Sequence, residues 1–243
     1  MDVTDPAARR LIVNADDFGF SPGVNAGVVR THRDGIVTSA SLMVRWPAAA
    51  DAARLAADHP RLGVGLHVDL GEWVFRGGRW VRAYAVLEDD AAKDPAAVTA
   101  EVDRQLSAFR SLLGRDPTHV DSHQHAHREE PLRSAVLELG RRLRVPVRHF
   151  TADVRYCGDF YGQQGRGEPY PQGVTVENLC RVIRSLPPGT TELCCHPGAG
   201  TDHASVYAAE RNLEVESLCG AAARAALADA GVILTNFAAF QRS

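Results

Sequence analysis

Leu11-Ile12-Val13-Asn14-Ala15-Asp16-Asp17-Phe18-Gly19 begins as an apolar run and ends in two adjacent carboxylates ahead of a turn. A short apolar run that breaks off in Asp reads as a buried strand whose carboxyl end opens on a site. The pattern recurs along the chain. His67 follows Val64-Gly65-Leu66, Asp121-Ser122-His123-Gln124-His125 follows a run centred on Val120, and His196 follows Leu193-Cys194-Cys195. Four strands therefore end in Asp or His, and in a parallel α/β fold the carboxyl ends of all strands share one face.

Strand-like runs fall at 11–14, 40–44, 64–67, 119–121, 145–150, 191–195 and 232–236. Helical patterns fall between them at 22–33, 48–59, 95–113, 130–143, 176–186 and 205–230. Strand alternating with helix predicts a parallel sheet with right-handed crossovers. Seven such strands predict an α/β fold with a closed or nearly closed (β/α) barrel, a doubly wound open sheet being the alternative. The 243 residues, 45% hydrophobic and 23% charged, suit one globular domain over 1–243.

A net charge of −3 with no basic run gives no footprint for nucleic acid or a membrane surface. No apolar stretch is long enough for a transmembrane helix, and Met1–Pro6 lacks the features of a signal peptide, so a cytoplasmic location is expected. Five irregularly spaced cysteines fit reduced thiols better than a disulfide framework. Cys194-Cys195 admits a metal-binding reading, but packing at a buried strand end is preferred. Oligomeric state is not legible, and a homodimer is one option.

His119, Asp121, His123, His125 and His127 are spaced by two, which on an extended chain aims them to one side. His-x-His is a common way to hold a divalent metal, and with Asp17 and His67 on neighbouring strands it predicts a metal site. His119 and His127 are expected to be supporting or exposed. Asp16 and Asp17 reach one site only if the strand bends at Phe18-Gly19. One carboxylate could then ligate while the other handles a proton. His196, in the turn His196-Pro197-Gly198, is a candidate acid, a further ligand or a backbone-bonded histidine. Two long connections, 71–88 and 153–173, carry Trp73, Trp80 and Tyr161, rings suited to the flat faces of sugars or to pinning their own loops.

These motifs resemble the YdjC-like carbohydrate deacetylases. The resemblance rests on residues 11–19, Asp34-Gly35-Ile36-Val37-Thr38-Ser39-Ala40-Ser41-Leu42-Met43, Gly65-Leu66-His67, Pro117–His125, His196-Pro197-Gly198 and Glu210-Arg211. It spans nearly the whole chain. It implies a distorted (β/α) barrel like that of the polysaccharide deacetylases, and a divalent metal, Mg²⁺ or Zn²⁺, held by Asp17, His67 and His123. It further implies Asp16 as base, His196 as acid, and His125 and Asp121 in support. The substrate implied is a small N-acetylated sugar or short oligosaccharide, cleaved at the amide by metal-activated water. The segment Glu72–Trp80 and the 156–170 loop depart from the family pattern, which leaves the particular sugar open. The rivals are a metal-dependent phosphoesterase or amidohydrolase on a similar barrel, and a non-catalytic sugar-binding module. His-x-His on the fourth strand rather than the first counts against the amidohydrolase, and retention of Asp16 and His196 counts against the binding module.

Overall fold

The computed structural model describes residues 7–200 and 207–240, so Met1–Pro6 and Ser205, where two of these expectations fall, lie outside the described residues. The chain begins with β1 (Arg9–Phe18), α1 (Pro22–Asp34), β2 (Ser39–Leu42), α2 (Ala49–Asp58) and β3 (Gly63–Val68). A hairpin, β4 (Gly71–Arg76) and β5 (Arg79–Ala85), interrupts the alternation before α3 (Pro95–Leu113), β6 (Val120–Ser122) and α4 (Leu132–Leu143). Then come β7 (Val154–Cys157), α5 (Val176–Ser185), β8 (Gly189–Cys195), α6 (Ala208–Cys219), α7 (Ala221–Asp229) and β9 (Val232–Thr235).

Helix starts follow local chemistry. Ser21 Oγ accepts from Val24 N at 3.1 Å with Pro22 in the first turn, and Asp94 accepts from Ala96 N at 3.0 Å ahead of Pro95. Thr175 caps α5 by accepting from Asn178 N. Gly114, at φ 65°, closes α3 in the left-handed conformation.

Seven strands form one parallel sheet in the order β6-β3-β2-β1-β8-β7, with β9 beside the first half of β1. The sheet curls into a half-barrel, as expected for the distorted barrel. Its ends, β6 and β7, do not pair; a single bridge from Val120 to Val147 extends the β6 edge. Because side chains alternate across a strand, Leu11 and Val13 enter the main core while Ile12 packs with Val154 and Phe237.

Three expectations are corrected. Residues 145–150 are not a strand: Pro146 has no N–H to give, Val147 N–H goes to Thr151 Oγ1 at 2.8 Å, and Val147 O closes a turn by accepting from Phe150 and Thr151. The fifth strand-like run is replaced in the sheet by Val154–Cys157, inside what reads as a loop. The last helix is broken at Gly220, whose extended φ −60°, ψ 137° separates α6 from α7. The other long connection folds largely as the β4–β5 hairpin, turned by Gly77 and Gly78 at positive φ.

Two glycines set the site's framework. A Cβ on Gly27 would fall 2.5 Å from Gly198 Cα, so glycine lets α1 press on the turn that carries His196. A Cβ on Gly65 would fall 2.4 Å from the His119 ring.

Candidate active site

The β1–β2 register slips between Ala15 and Phe18, and Asp17 sits there at φ 66°. This bulge answers the bend that two neighbouring carboxylates require: Asp16 and Asp17 line the same cavity, about 530 Å³ in volume. Asparagine and aspartate tolerate the left-handed region better than most residues, which makes Asp a suitable residue for the slip.

Asp17 Oδ1 faces His67 Nε2 at 3.5 Å and His123 Nδ1 at 3.2 Å. These three donor atoms lie within 4.8 Å of one another. Asp17 Oδ1 is buried with no hydrogen-bond partner, while Oδ2 accepts from Arg211 at 2.6 Å. His67 Nδ1 donates to Asp121 Oδ1 at 2.7 Å, so Nε2 is the ring nitrogen turned to Asp17. Burial lowers the His67 pKa, but Asp121 and Asp16 outweigh it and hold it well above the usual value, and a cation would displace the Nε2 proton. Burial raises the Asp17 pKa, but Arg211 and the two histidines outweigh it and hold the carboxyl well below its usual range. An orphaned carboxylate oxygen and two imidazoles turned toward one point fit a divalent cation with positions left open.

Asp16 is held differently. Arg148 Nη1 and Nη2 reach its two oxygens at 2.7 Å each, and Asn14 Nδ2 donates to Oδ1 at 2.8 Å. Burial pushes this carboxyl up, yet Arg148 more than offsets that and its pKa falls to about 2. Arg148 is itself fully buried and also pairs with Asp121 at 2.9 Å and Glu192 at 2.6 Å.

His196 leaves β8 with Nε2 at 4.0 Å from Asp16 Oδ2. Its backbone N–H donates to Glu214 Oε2 at 2.5 Å, and Arg211 Nη1 donates to its carbonyl at 3.2 Å. Tyr207 donates to Glu214 Oε1 at 2.5 Å, so α6 and the residue before it anchor the turn. Burial drives the His196 pKa down to about 4, with Asp16 and Asp17 opposing it, and burial lifts Glu214 to about 8.

The histidine tract does not share one side. The strand ends at Ser122, and Gln124 and His125 turn through positive φ of 51° and 53°. His123 therefore meets Asp17. His125 lines the cavity but bonds Tyr156 OH at 3.1 Å and His149 at 3.3 Å, away from the Asp17 cluster. His119 and His127 are wholly buried, not exposed: His119 stacks on Phe237 at 3.9 Å, and His127 bonds Ser122. Asp121 reaches no open space; it receives His67, Ser41 and Arg148.

Trp73, Trp80 and Tyr161 all line the cavity. Trp73 and Trp80 are about half exposed on the hairpin, where Phe75 meets Trp80 edge-on. Tyr161 stacks on Tyr207 at 4.9 Å and stands edge-on to His196.

Arg148, Glu192, Glu214 and Tyr207 were not apparent in the sequence. Arg148 had one available signal, an arginine inside the apolar stretch Val145-Pro146-Val147, since a buried arginine needs buried carboxylates. Glu192 and Glu214 lie inside a strand and a helix, Tyr207 lies just before α6, and none of the three carries a spacing signature.

The sequence matches the YdjC-like protein family over residues 10–229. It is 35% identical to a carbohydrate deacetylase of Geobacillus stearothermophilus, covering 96% of this chain and 99% of that one. It is 31% identical to a chitooligosaccharide deacetylase of Klebsiella pneumoniae, over 94% and 98% of the two chains. A family 4 carbohydrate esterase from Streptomyces lividans, solved with acetate, shares the fold at 12% identity, with a TM-score of 0.53 over 93% of this chain and 91% of that one.

Proposed function

This chain belongs to the YdjC-like family, and from that we propose that it is a carbohydrate deacetylase that hydrolyses the amide of a small N-acetylated sugar or short oligosaccharide. The observation that carries the reading is the convergence of Asp17, His67 and His123 beside an Arg-clamped Asp16 and a buried His196, all opening on one cavity.

Asp17, His67 and His123 hold a divalent cation, Mg²⁺ or Zn²⁺, which when bound supplies a Lewis acid for the acetyl carbonyl and an acidified water. Asp121 fixes the His67 tautomer, and Arg211 holds the second oxygen of Asp17 so that Oδ1 alone faces the cluster. Asp16 takes the proton from the attacking water. Its bidentate bond to Arg148 keeps it ionised and fixes the direction of its free lone pairs. As the amide bond breaks the sugar nitrogen must be protonated, because an unprotonated amine is a poor leaving group. His196, 4.0 Å from Asp16, relays to it the proton that Asp16 took from water. Glu214 and Arg211 keep its backbone in place.

Trp73, Trp80 and Tyr161 pack on sugar rings at the cavity mouth. The cavity volume, about 530 Å³, suits a mono- to oligosaccharide end better than an extended polymer along an open groove. The test is acetate release from N-acetylated monomers, dimers and long chains, with the freed amine measured in parallel. Faster hydrolysis of long polymer than of any short sugar overturns the substrate class.

A further inference from the structure

Cys194 stands beside the groups that move protons, and the deacetylation reading gives it no task. Its Sγ lies 3.4 Å from Asp16 Oδ2 and 4.0 Å from His196 Nε2, and those two atoms are 4.0 Å apart. Asp16, Cys194 and His196 all line the same cavity, so an ion can reach the face they make. In a tetrahedral site with Zn–N and Zn–O near 2.0–2.1 Å and Zn–S near 2.3 Å, neighbouring donor atoms sit about 3.3–3.6 Å apart. The observed triangle needs only a small contraction to reach that geometry, with a fourth position open to the cavity.

We propose that Asp16, Cys194 and His196 form a second cation site, selective for soft ions such as Zn²⁺, Cd²⁺ and Co²⁺, next to the Asp17–His67–His123 site. One cysteine thiol, one carboxylate and one imidazole favour such ions over Mg²⁺, which prefers all-oxygen surroundings. Binding replaces the thiol proton: the S–H that faces Asp16 Oδ2 is lost to solvent, and the sulfur ligates as thiolate. Arg148 stays on Asp16, and its charge is matched by Asp121 and Glu192, so the cation does not meet an unbalanced guanidinium.

The site shares Asp16 and His196 with the deacetylase reading, and one consequence rests on the roles that reading gives them. A cation held there occupies both groups that move protons. Soft ions beyond the first equivalent therefore inhibit, whereas excess Mg²⁺ does not.

The test titrates metal-free protein with Co²⁺, read by absorbance and elemental analysis, with circular dichroism checking each variant's fold. Wild type binds two Co²⁺ per chain and develops one thiolate-to-cobalt charge-transfer band. Cys194→Ser and, independently, His196→Ala lose that band and one equivalent. Asp17→Asn loses one equivalent but keeps the band. Absence of the band in wild type, or its survival in Cys194→Ser, overturns the proposal, since the sulfur would be absent or another cysteine. A wild type that shows the band in this titration but, reconstituted with Mg²⁺ alone, releases no acetate from any sugar would instead overturn the deacetylase reading.

Discussion

Arg148 spans the two oxygens of Asp16 with two 2.7 Å hydrogen bonds, fully buried, from a segment that follows α4 rather than from a strand of the sheet. The residue proposed as base is thus clamped by a group more than 130 positions away in sequence. In Arg148→Lys one ammonium replaces the fork and the Asp16 pKa rises from about 2. Because Asp16 acts as carboxylate, the acid limb of kcat/KM moves to higher pH. An unmoved acid limb in a folded variant would detach Arg148 from the base. Arg148→Ala leaves Asp16, Asp121 and Glu192 without their shared cation and costs about 3–5 kcal/mol in urea unfolding.

Asp16→Asn keeps its fold and the cation of the Asp17–His67–His123 site but lowers kcat about 10²–10⁴-fold, since the amide cannot take the proton from water. Near-normal turnover in metal-replete protein refutes the base assignment. Loss of the single activating Mg²⁺ instead means that Asp16 and Asp17 have exchanged roles.

Metal content separates the histidines. Asp17→Ala, His67→Ala and His123→Ala each lose the activating cation, whereas His125→Ala retains it, because His125 bonds Tyr156 and His149 instead. Asp121→Asn, which disturbs the partner of His67 Nδ1, weakens metal affinity about 10–100-fold. Equal metal loss from His125→Ala would make it a ligand.

Acid sensitivity follows from two buried histidines outside the ligand set. Burial, the largest influence, drives His119 and His127 down to about 4, against an ordinary value of 6.5. Between those values the unfolded chain binds protons that the folded chain does not, so stability falls as pH drops from about 6.5 toward 4. The urea midpoint should decline from pH 7 to pH 5 while the two imidazoles remain neutral by NMR. Protonation of both near pH 6.5 in the folded protein would contradict the burial account.

Trp73→Ala and Trp80→Ala raise KM far more than they lower kcat, since ring packing precedes the transition state. Folded variants with unchanged KM would remove those rings from the site.

The sheet was readable because the apolar runs of β1, β3, β6 and β8 give way to Asp or His near their carboxyl ends. The ends also placed Asp16, Asp17, His67, His123 and His196 on one face. Spacing failed after Ser122 because period-two reasoning holds only on extended chain, and positive φ at Gln124 and His125 breaks it. Val154–Cys157 was missed because its four residues alternate too briefly to register as a strand. The Arg148 clamp was missed because ion pairs between distant segments follow from tertiary packing alone.

The most direct measurement is acetate and free-amine release from short N-acetylated chitooligosaccharides by protein stripped of metal and then reconstituted with one divalent cation per chain. The account predicts equal amounts of acetate and amine, lost on stripping and restored by the cation in wild type but not in His67→Ala. Hydrolysis that continues undiminished in metal-free protein, or a reconstituted wild type that releases no acetate from any of these sugars, would contradict it.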